Sequence, residues 1–246
     1  MKLKVLDLFS GIGGMSLGLE ATGGFETVGF CEIAPYPRAI LAKHWPGVPI
    51  YNDVRNLEHE GQIDVICGGY PCQPFSVAGE RRGEKDDRHL WPEMFNLIKK
   101  HRPAWVIGEN VAGHVNMGLD EALFDLESEN YSTRAFVIPA CALDAQHRRD
   151  RVWIVGHTER VGQSGQREFE QPSNQASKGK GQTNHALPIG EYGKWCAEPD
   201  VGRVAYGIPN RMDRLTALGN AVVPQIVEKI GNAILSTYTN NKETDQ

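Results

Sequence analysis

The 246-residue chain reads as an α/β protein built on a mostly parallel, doubly wound sheet. Three observations predict it. Short apolar runs alternate with helix-period segments, the first run passes straight into the glycine turn Ser10-Gly-Ile-Gly-Gly14, and polar or reactive side chains recur where such runs end. With 40% hydrophobic residues the chain supports one α/β domain plus a small appendage.

The elements follow in order. Residues 3–9 form an apolar strand, and Gly11, Gly13 and Gly14 suit a tight turn with positive φ that brings backbone close to a ligand. A helix over 13–22 starts there. The next strand, 26–31, ends at Glu32, about 20 residues past the first strand, the interval at which nucleotide folds place a carboxylate on a ribose. Ser16 stands where a pyrophosphate-binding Gly-x-Gly-x-x-Gly has its third glycine, so the turn suggests an adenosine-containing cofactor without saying which.

A helix over 35–45 and strands over 48–51 and 63–68 continue the alternation. The last of these runs into Gly69-Tyr-Pro-Cys-Gln-Pro-Phe-Ser76, where Pro71 and Pro74 fix the backbone around Cys72 and forbid further helix or strand. A thiol held so at a strand end has the posture of a nucleophile. An isolated cysteine is more often simply packed, and the motif alone leaves both readings open.

Residues 73–90 read as a lid. Within it Arg81 and Arg82 lie between Gly79 and Gly83 as hinges, placed to close over phosphates. A helix over 91–101 ends in Lys99-Lys-His-Arg102, a solvated C-terminus. The strand over 104–109 ends at Glu109; a carboxylate is ordinarily a surface group, but one following a buried-type run is partly desolvated, which raises its pKa and lets it deliver a proton. After a helix over 119–129 and a strand over 132–138 comes Gln146-His-Arg-Arg-Asp-Arg151, leading into a strand over 151–156. Arg149 and Arg151 alternate by two and face one way, able to hold a phosphate or a carbonyl, although exposed arginines are usually only solvated.

Residues 158–185 are crowded with Gln, Gly, Ser, Asn and Lys around a single aromatic, Phe169, the composition of a flexible loop. A helix over 222–238 and a polar tail complete the chain. Five cysteines without a CxxC pair argue for reduced thiols, hence a cytosol. The eight histidines lack metal-ligand spacing, so no metal site is expected. No apolar run approaches ~18 residues and no signal-peptide core is present, so neither a membrane span nor export is expected. The net charge of −5 opposes a nucleic-acid ligand at first sight, but Arg and Lys gather at 81–82, 99–102, 148–151 and 203–214.

Taken in order, Asp7-Leu-Phe-Ser-Gly-Ile-Gly-Gly14, Glu32, Asn52-Asp-Val54, Pro71-Cys-Gln-Pro-Phe-Ser76, Glu109-Asn-Val111, Arg149-x-Arg151 and Gly219-Asn-Ala-Val-Val-Pro224 resemble the motif set of cytosine-5 DNA methyltransferases, of the compact type found in bacteria, prophages and phages. The resemblance covers the chain apart from residues 157–200 and the last ten. It implies a Rossmann-like methyltransferase sheet with a small irregular target-recognition region: residues 1–156 catalytic and cofactor-binding, 157–217 recognising the target, 218–246 a helix returning to the catalytic domain and a tail.

The resemblance further implies methyl transfer from S-adenosylmethionine to carbon 5 of a cytosine flipped out of double-stranded DNA. Cys72 is then the covalent nucleophile, Glu109 acts at ring nitrogen 3, and Arg149 and Arg151 hold the base's carbonyl and the catalytic loop. Phe9, Gly11 and Gly13 form the cofactor turn, Glu32 takes the ribose, Asp53 and Val54 the adenine, and Leu90 and Asn220 close the pocket. Gln73, Ser76, Arg81 and Arg82 meet the DNA. A monomer without metal, in the cytoplasm of a bacterium or phage-infected host and tied to restriction-modification, completes the expectation.

Two departures stand out. His147 occupies the place of the family's usual Gln, and the signature before the last motif is reduced to Arg211-Met-Asp-Arg-Leu-Thr-Ala-Leu218. Few residues remain for recognition against the ~600–1,000 Å² that a single DNA-reading module buries, so a short site, or one read partly through the lid, is expected. Other classes fit less well. A tRNA cytosine methyltransferase shares the motifs but carries a Cys-Phe-Thr tripeptide absent here, an exocyclic-amine methyltransferase needs a Pro-Pro-aromatic turn, a nicotinamide oxidoreductase matches only the glycine turn and Glu32, and a non-catalytic relic would have lost Cys72 or Glu109.

Overall fold

The structure, a computed structural model, describes residues 2–71, 90–116, 118–143, 145, 148–158 and 211–240. Cys72, Gln73, Ser76, Arg81, Arg82, His147 and residues 159–210 of the expected recognition region lie outside the described residues.

Seven strands, β1 (Leu3–Leu8), β2 (Phe25–Cys31), β3 (Ile50–Tyr51), β4 (Val65–Gly68), β5 (Trp105–Val111), β6 (Ser132–Pro139) and β7 (Asp150–His157), form one sheet in the order β3-β2-β1-β4-β5-β7-β6. The helices are α1 (Gly14–Ala21), α2 (Pro35–His44), α3 (Trp91–His101), α4 (Leu119–Ser128), α5 (Arg211–Asn220) and α6 (Pro224–Asn240). Every pairing from β3 to β5 is parallel, as expected of a doubly wound sheet. β7 is the exception, running antiparallel between β5 and β6.

Side chains alternating along β1 feed two cores. Leu6 and Leu8 join Ile66, Met94, Ile98, Val106 and Leu126 beneath α3 and α4, whereas Leu3 and Val5 join Leu19, Phe25, Val65, Ile107, Trp153, Ile226 and Val227 beneath α1 and α6. β4 is buried along its whole length, the mark of a parallel strand covered on both faces. α3 forms because Trp91, Met94 and Ile98 recur at helical spacing on its buried face; Pro92 suits the first turn and Arg102, at φ 49, stops it.

The second core depends on small residues. A Cβ on Gly18 would run into the Pro224 carbonyl oxygen and lie 2.6 Å from Val227 Cβ, so only glycine lets α1 and α6 pack this closely. α6 begins at Pro224 rather than at 222, because proline pre-sets the first helical φ and disfavours helix in the residue before it.

α5 is a difference from the sequence reading, which left 211–217 in the irregular region. One helix runs through the boundary drawn at 217. Its periodic signal is weak: Ala217 is buried, while Met212 and Leu218 are exposed. Among the described residues no helix is long and apolar enough to cross a membrane.

The strand order reverses direction between β1 and β4. In open α/β sheets the crevice outside the carboxyl ends at such a switch point takes the ligand. Phe9 and Gly11, Glu32, Asp53, Pro71 and Glu109 all lie at or just past the carboxyl ends of the adjacent strands β1, β2, β3, β4 and β5.

Candidate active site

One half of the candidate site is built where β4 ends beside β5, which continues three residues further. Gly68 pairs with Gly108, so the next residues, Gly69 and Glu109, meet; a Cβ on Gly69 would lie 3.1 Å from Glu109 Oε2. Asn110 Nδ2 donates to the Tyr70 carbonyl at 3.0 Å, and its Oδ1 accepts from the Val111 amide at 2.9 Å. Tyr70 is in turn buried, with its hydroxyl 2.7 Å from His114 Nε2 and its ring 5.0 Å from that of Trp91. The backbone leading to Cys72 is therefore anchored to β5 up to Pro71.

Glu109 is 9% exposed, and Arg151 Nε approaches its Oε1 at 2.9 Å. Burial pushes its pKa above the ordinary carboxylate value, and Arg151 and Arg149 oppose that rise.

Arg149 corrects the picture of two arginines facing one way along a strand. β7 starts at Asp150, and Arg149 precedes it at φ 37, which breaks the two-residue alternation. Its Nη2 donates to the Gly219 and Ala221 carbonyls, each at 2.8 Å. The charges of both arginines still bear on Glu109.

The cofactor end is a turn of unusual backbone. Phe9, Gly11 and Gly13 have φ of 52, 53 and 85°. A Cβ on Gly13 would lie 2.7 Å from the Trp45 ring, whereas one on Gly11 meets nothing within 4 Å, so at Gly11 the backbone angle alone calls for glycine. Phe9 holds a strained angle without that freedom, as residues at ligand clamps do. Ser10 pins the turn: its Oγ donates to the Asp7 carbonyl at 2.6 Å and accepts from the Cys31 amide at 3.2 Å.

Glu32 is oriented by backbone. Oε2 accepts from the Gly11 amide and Oε1 from the Ala34 amide, both at 2.8 Å. Each oxygen retains a lone pair for a further donor, such as a ribose hydroxyl. Asp53 caps the turn Val54–Asn56 by accepting from the Arg55 amide at 3.0 Å, and Val54 beside it is buried. Leu90 abuts the core at the start of α3, and Asn220 ends α5 exposed. Acceptor carboxylates around a tight turn fit an adenosine cofactor bearing a ribose diol and a cationic centre.

Two polar groups here escaped the sequence reading. Asp7 is fully buried on β1, where its Oδ2 accepts from Ser16 Oγ at 2.7 Å and from the Ser16 amide at 3.2 Å; burial pushes its pKa up to about 7. The signal available was a carboxylate inside an apolar run. Asn110, quoted only as part of a motif, turns out to tie the two strand ends together.

Residues 3–192 match the family described as C-5 cytosine-specific DNA methylase. The Type II methyltransferase M2.BsuMI of Bacillus subtilis is 35% identical over 62% of this chain and 41% of its own length. The orphan methyltransferase M.Rho11sI of Bacillus phage rho11s is 32% identical over 82% of this chain and 42% of its own. The chain thus spans about two-fifths of the length of these relatives. Among solved structures, one described as a putative DNA modification methyltransferase encoded in an E. coli prophage superposes with TM-score 0.53 at 28% identity, covering 63% of this chain and 47% of that one. Spodoptera frugiperda DNMT2 gives TM-score 0.57 at 21% identity, over 69% and 54%, a likeness of fold.

Proposed function

The chain belongs to the C-5 cytosine-specific DNA methylase family, and from that premise we propose that it transfers a methyl group from S-adenosylmethionine to carbon 5 of a cytosine flipped out of duplex DNA. The observation that carries the reading is the single sheet edge on which the Glu109–Arg151 pair, the anchored Gly69-Tyr70-Pro71 approach to Cys72 and the Glu32-braced glycine turn lie on neighbouring strands.

Carbon 5 of cytosine is a weak nucleophile, and carbon 6 is electron-poor. The Cys72 thiolate adds to carbon 6, forming a C–S bond and pushing electrons towards ring nitrogen 3. Glu109, held protonated further towards neutral pH by burial, donates its proton to that nitrogen as charge develops there. Arg151 keeps the carboxyl in place and lends positive charge beside it. Carbon 5 is now enamine-like and nucleophilic. Phe9, Gly11, Gly13 and Glu32 would hold S-adenosylmethionine, which would supply an electrophilic methyl group to carbon 5 as its S–CH3 bond breaks and S-adenosylhomocysteine leaves. Loss of the carbon-5 proton to solvent, expulsion of the Cys72 thiolate and return of the nitrogen-3 proton to Glu109 restore aromaticity. The target must leave the base stack for any of this.

Asp53, Val54, Leu90 and Asn220 complete the cofactor pocket in this reading, and Gln73, Ser76, Arg81 and Arg82 meet the DNA. We place the reaction in the cytoplasm of a bacterium or phage-infected host, by a metal-free monomer. Two experiments test it. Bisulfite sequencing of plasmid DNA from expressing cells should show protected cytosines in one sequence context. Duplex containing 5-fluorocytosine should form a denaturation-resistant adduct with the wild type in the presence of cofactor and none with Cys72→Ala; an adduct with the variant refutes the nucleophile.

A further inference from the structure

We propose that Arg149 is a positioning residue: it latches the Gly219–Pro224 segment, and through that latch the cofactor pocket and the catalytic carboxylate act as one unit. The inference rests on the methyltransferase reading for the role of Asn220, but its geometry stands on the page. One guanidinium nitrogen donates to two backbone carbonyls, Gly219 and Ala221, both at 2.8 Å. They flank Asn220 on either side. Carbonyls at the end of a helix have no intrahelical donor and sit at the negative end of its dipole, so a cation is their fitting partner.

The same segment also packs against α1. A Cβ on Gly14 would lie 2.8 Å from Val222 Cγ2, and Gly18 leaves room for Pro224 and Val227. α1 follows directly on the Gly11–Gly13 turn, whose Gly11 amide braces Glu32. Arg149 therefore holds a segment that also packs against the start of α1, directly after the glycine turn, while its own charge bears on Glu109.

The backbone conformation supports a built device. Arg149 sits at φ 37, a left-handed angle that a non-glycine residue keeps only where its surroundings hold it. The loop before it is closed by the Ala140 amide donating to the Arg148 carbonyl at 2.7 Å. Both bonds come from one nitrogen, so a lysine ammonium can donate the same pair, but its flexible, strongly hydrated stem holds them less firmly than the pre-organised guanidinium.

The test uses Arg149→Ala, Arg149→Lys, Asn220→Ala and the double variant Arg149→Ala/Asn220→Ala, with S-adenosylhomocysteine as the calorimetric probe. Loss of the two charge-assisted bonds is expected to weaken binding by about tenfold in Arg149→Ala, with only partial recovery in Arg149→Lys. Asn220→Ala should weaken wild-type binding similarly yet change the Arg149→Ala protein by less than about twofold, since coupled residues are non-additive. Amide hydrogen exchange supplies a readout independent of cofactor. Residues 219–223 should exchange about tenfold faster in Arg149→Ala, while β1 amides keep their wild-type protection.

Additive losses in the cycle overturn the coupling, and unchanged exchange at 219–223 overturns the latch. Faster exchange throughout β1 as well would show a general loss of structure and overturns it too. A wild-type protein that binds no S-adenosylhomocysteine sinks the methyltransferase reading and the coupling with it, while the exchange data still decide the latch.

Discussion

Glu109 and Asp7 are two carboxyls raised by the same cause, burial, and put to different uses. Glu109 faces Arg151, and in the proposed reaction its acid form is spent on the substrate and recovered. Replacing it by Gln should reduce methyl transfer by at least about a hundredfold, the usual scale of general acid catalysis, with S-adenosylhomocysteine affinity kept. Equal losses in both measurements would defeat the assignment. The pH dependence has a definite sign. Activity that needs the protonated acid declines as pH rises through its raised pKa, and Arg151, which lowers that pKa, sets where. In Arg151→Gln the descending limb of the kcat profile should move to higher pH on a smaller maximum; a limb that stays or moves down contradicts the pairing.

Asp7 is fully buried against Ser16, and its titration bears on stability. Its folded pKa of about 7 lies above the unfolded value of 3.8, so its contribution is fully present below 3.8 and is lost as pH rises through about 7. His59 and His101 act in the opposite sense. Burial holds both below the ordinary imidazole value, so their contribution is present above pH 6.5 and fades as pH falls through their folded pKa values. The clean observable is the difference between Asp7→Asn and wild type. The variant should gain in thermal midpoint relative to wild type between pH 4 and 7, and a pH-independent gap would show that Asp7 does not titrate there.

At the scale of elements, much was legible because local signals agreed. β1, the glycine turn and α1 were readable since apolar run, turn chemistry and helix start coincide within twenty residues, and α3 since its apolar spacing, Pro92 and basic end all say helix. Glu109 was legible as a partly desolvated group because it ends an apolar strand. The direction of β7 was not. A strand buried on one side of its neighbours reads alike in either direction, and only the short connection from Pro139 to Asp150 makes it return beside β6. Arg149 was misjudged for a related reason: alternation presumes extended backbone, and its φ of 37 is decided by the loop that Ala140 and Arg148 close. α5 carried too little buried apolar surface to declare itself.

The contact between α1 and α6 invites a direct test at this scale. Gly18→Ala would raise helix propensity locally, which favours α1 by about 1 kcal/mol. Against that, its methyl would meet the Pro224 carbonyl and Val227 Cβ at 2.6 Å, a backbone neighbour that cannot step aside. Overpacking of this kind costs about 1–3 kcal/mol and should win. Urea denaturation of Gly18→Ala should give a lower midpoint at unchanged slope; a more stable variant would show that the two helices can separate freely.

At the scale of the whole molecule, the proposed methyl transfer assigns to the described sheet a chemistry that does not depend on which cytosine is presented. Glu32, Asp53, Glu109 and Arg151 all stand at strand ends of one rigid layer. Site choice must then come from outside that layer. Residues 157–217 are the proposed source, because apolar content falls after Gly156 and the segment brings Gln163, Gln166, Arg167, Asn174 and Gln175, side chains able to read base edges in the major groove. A net charge of −5 sharpens the point. With no global attraction to DNA, affinity must rest on local basic groups such as Arg81, Arg82 and those at 203–214, which sharpens the dependence on salt. Replacing residues 160–185 by a glycine-serine linker should therefore abolish site-selective methylation in bisulfite sequencing and leave S-adenosylhomocysteine affinity near the wild-type value, since Glu32, Asp53 and Asn220 lie elsewhere. Glutamine and glycine also mark plain linkers, and the experiment separates the two cases. If the linker variant keeps the wild-type target, recognition resides in the lid around Arg81 and Arg82 or in residues 203–214, and charge reversal at those arginines becomes the change that alters which cytosine is methylated.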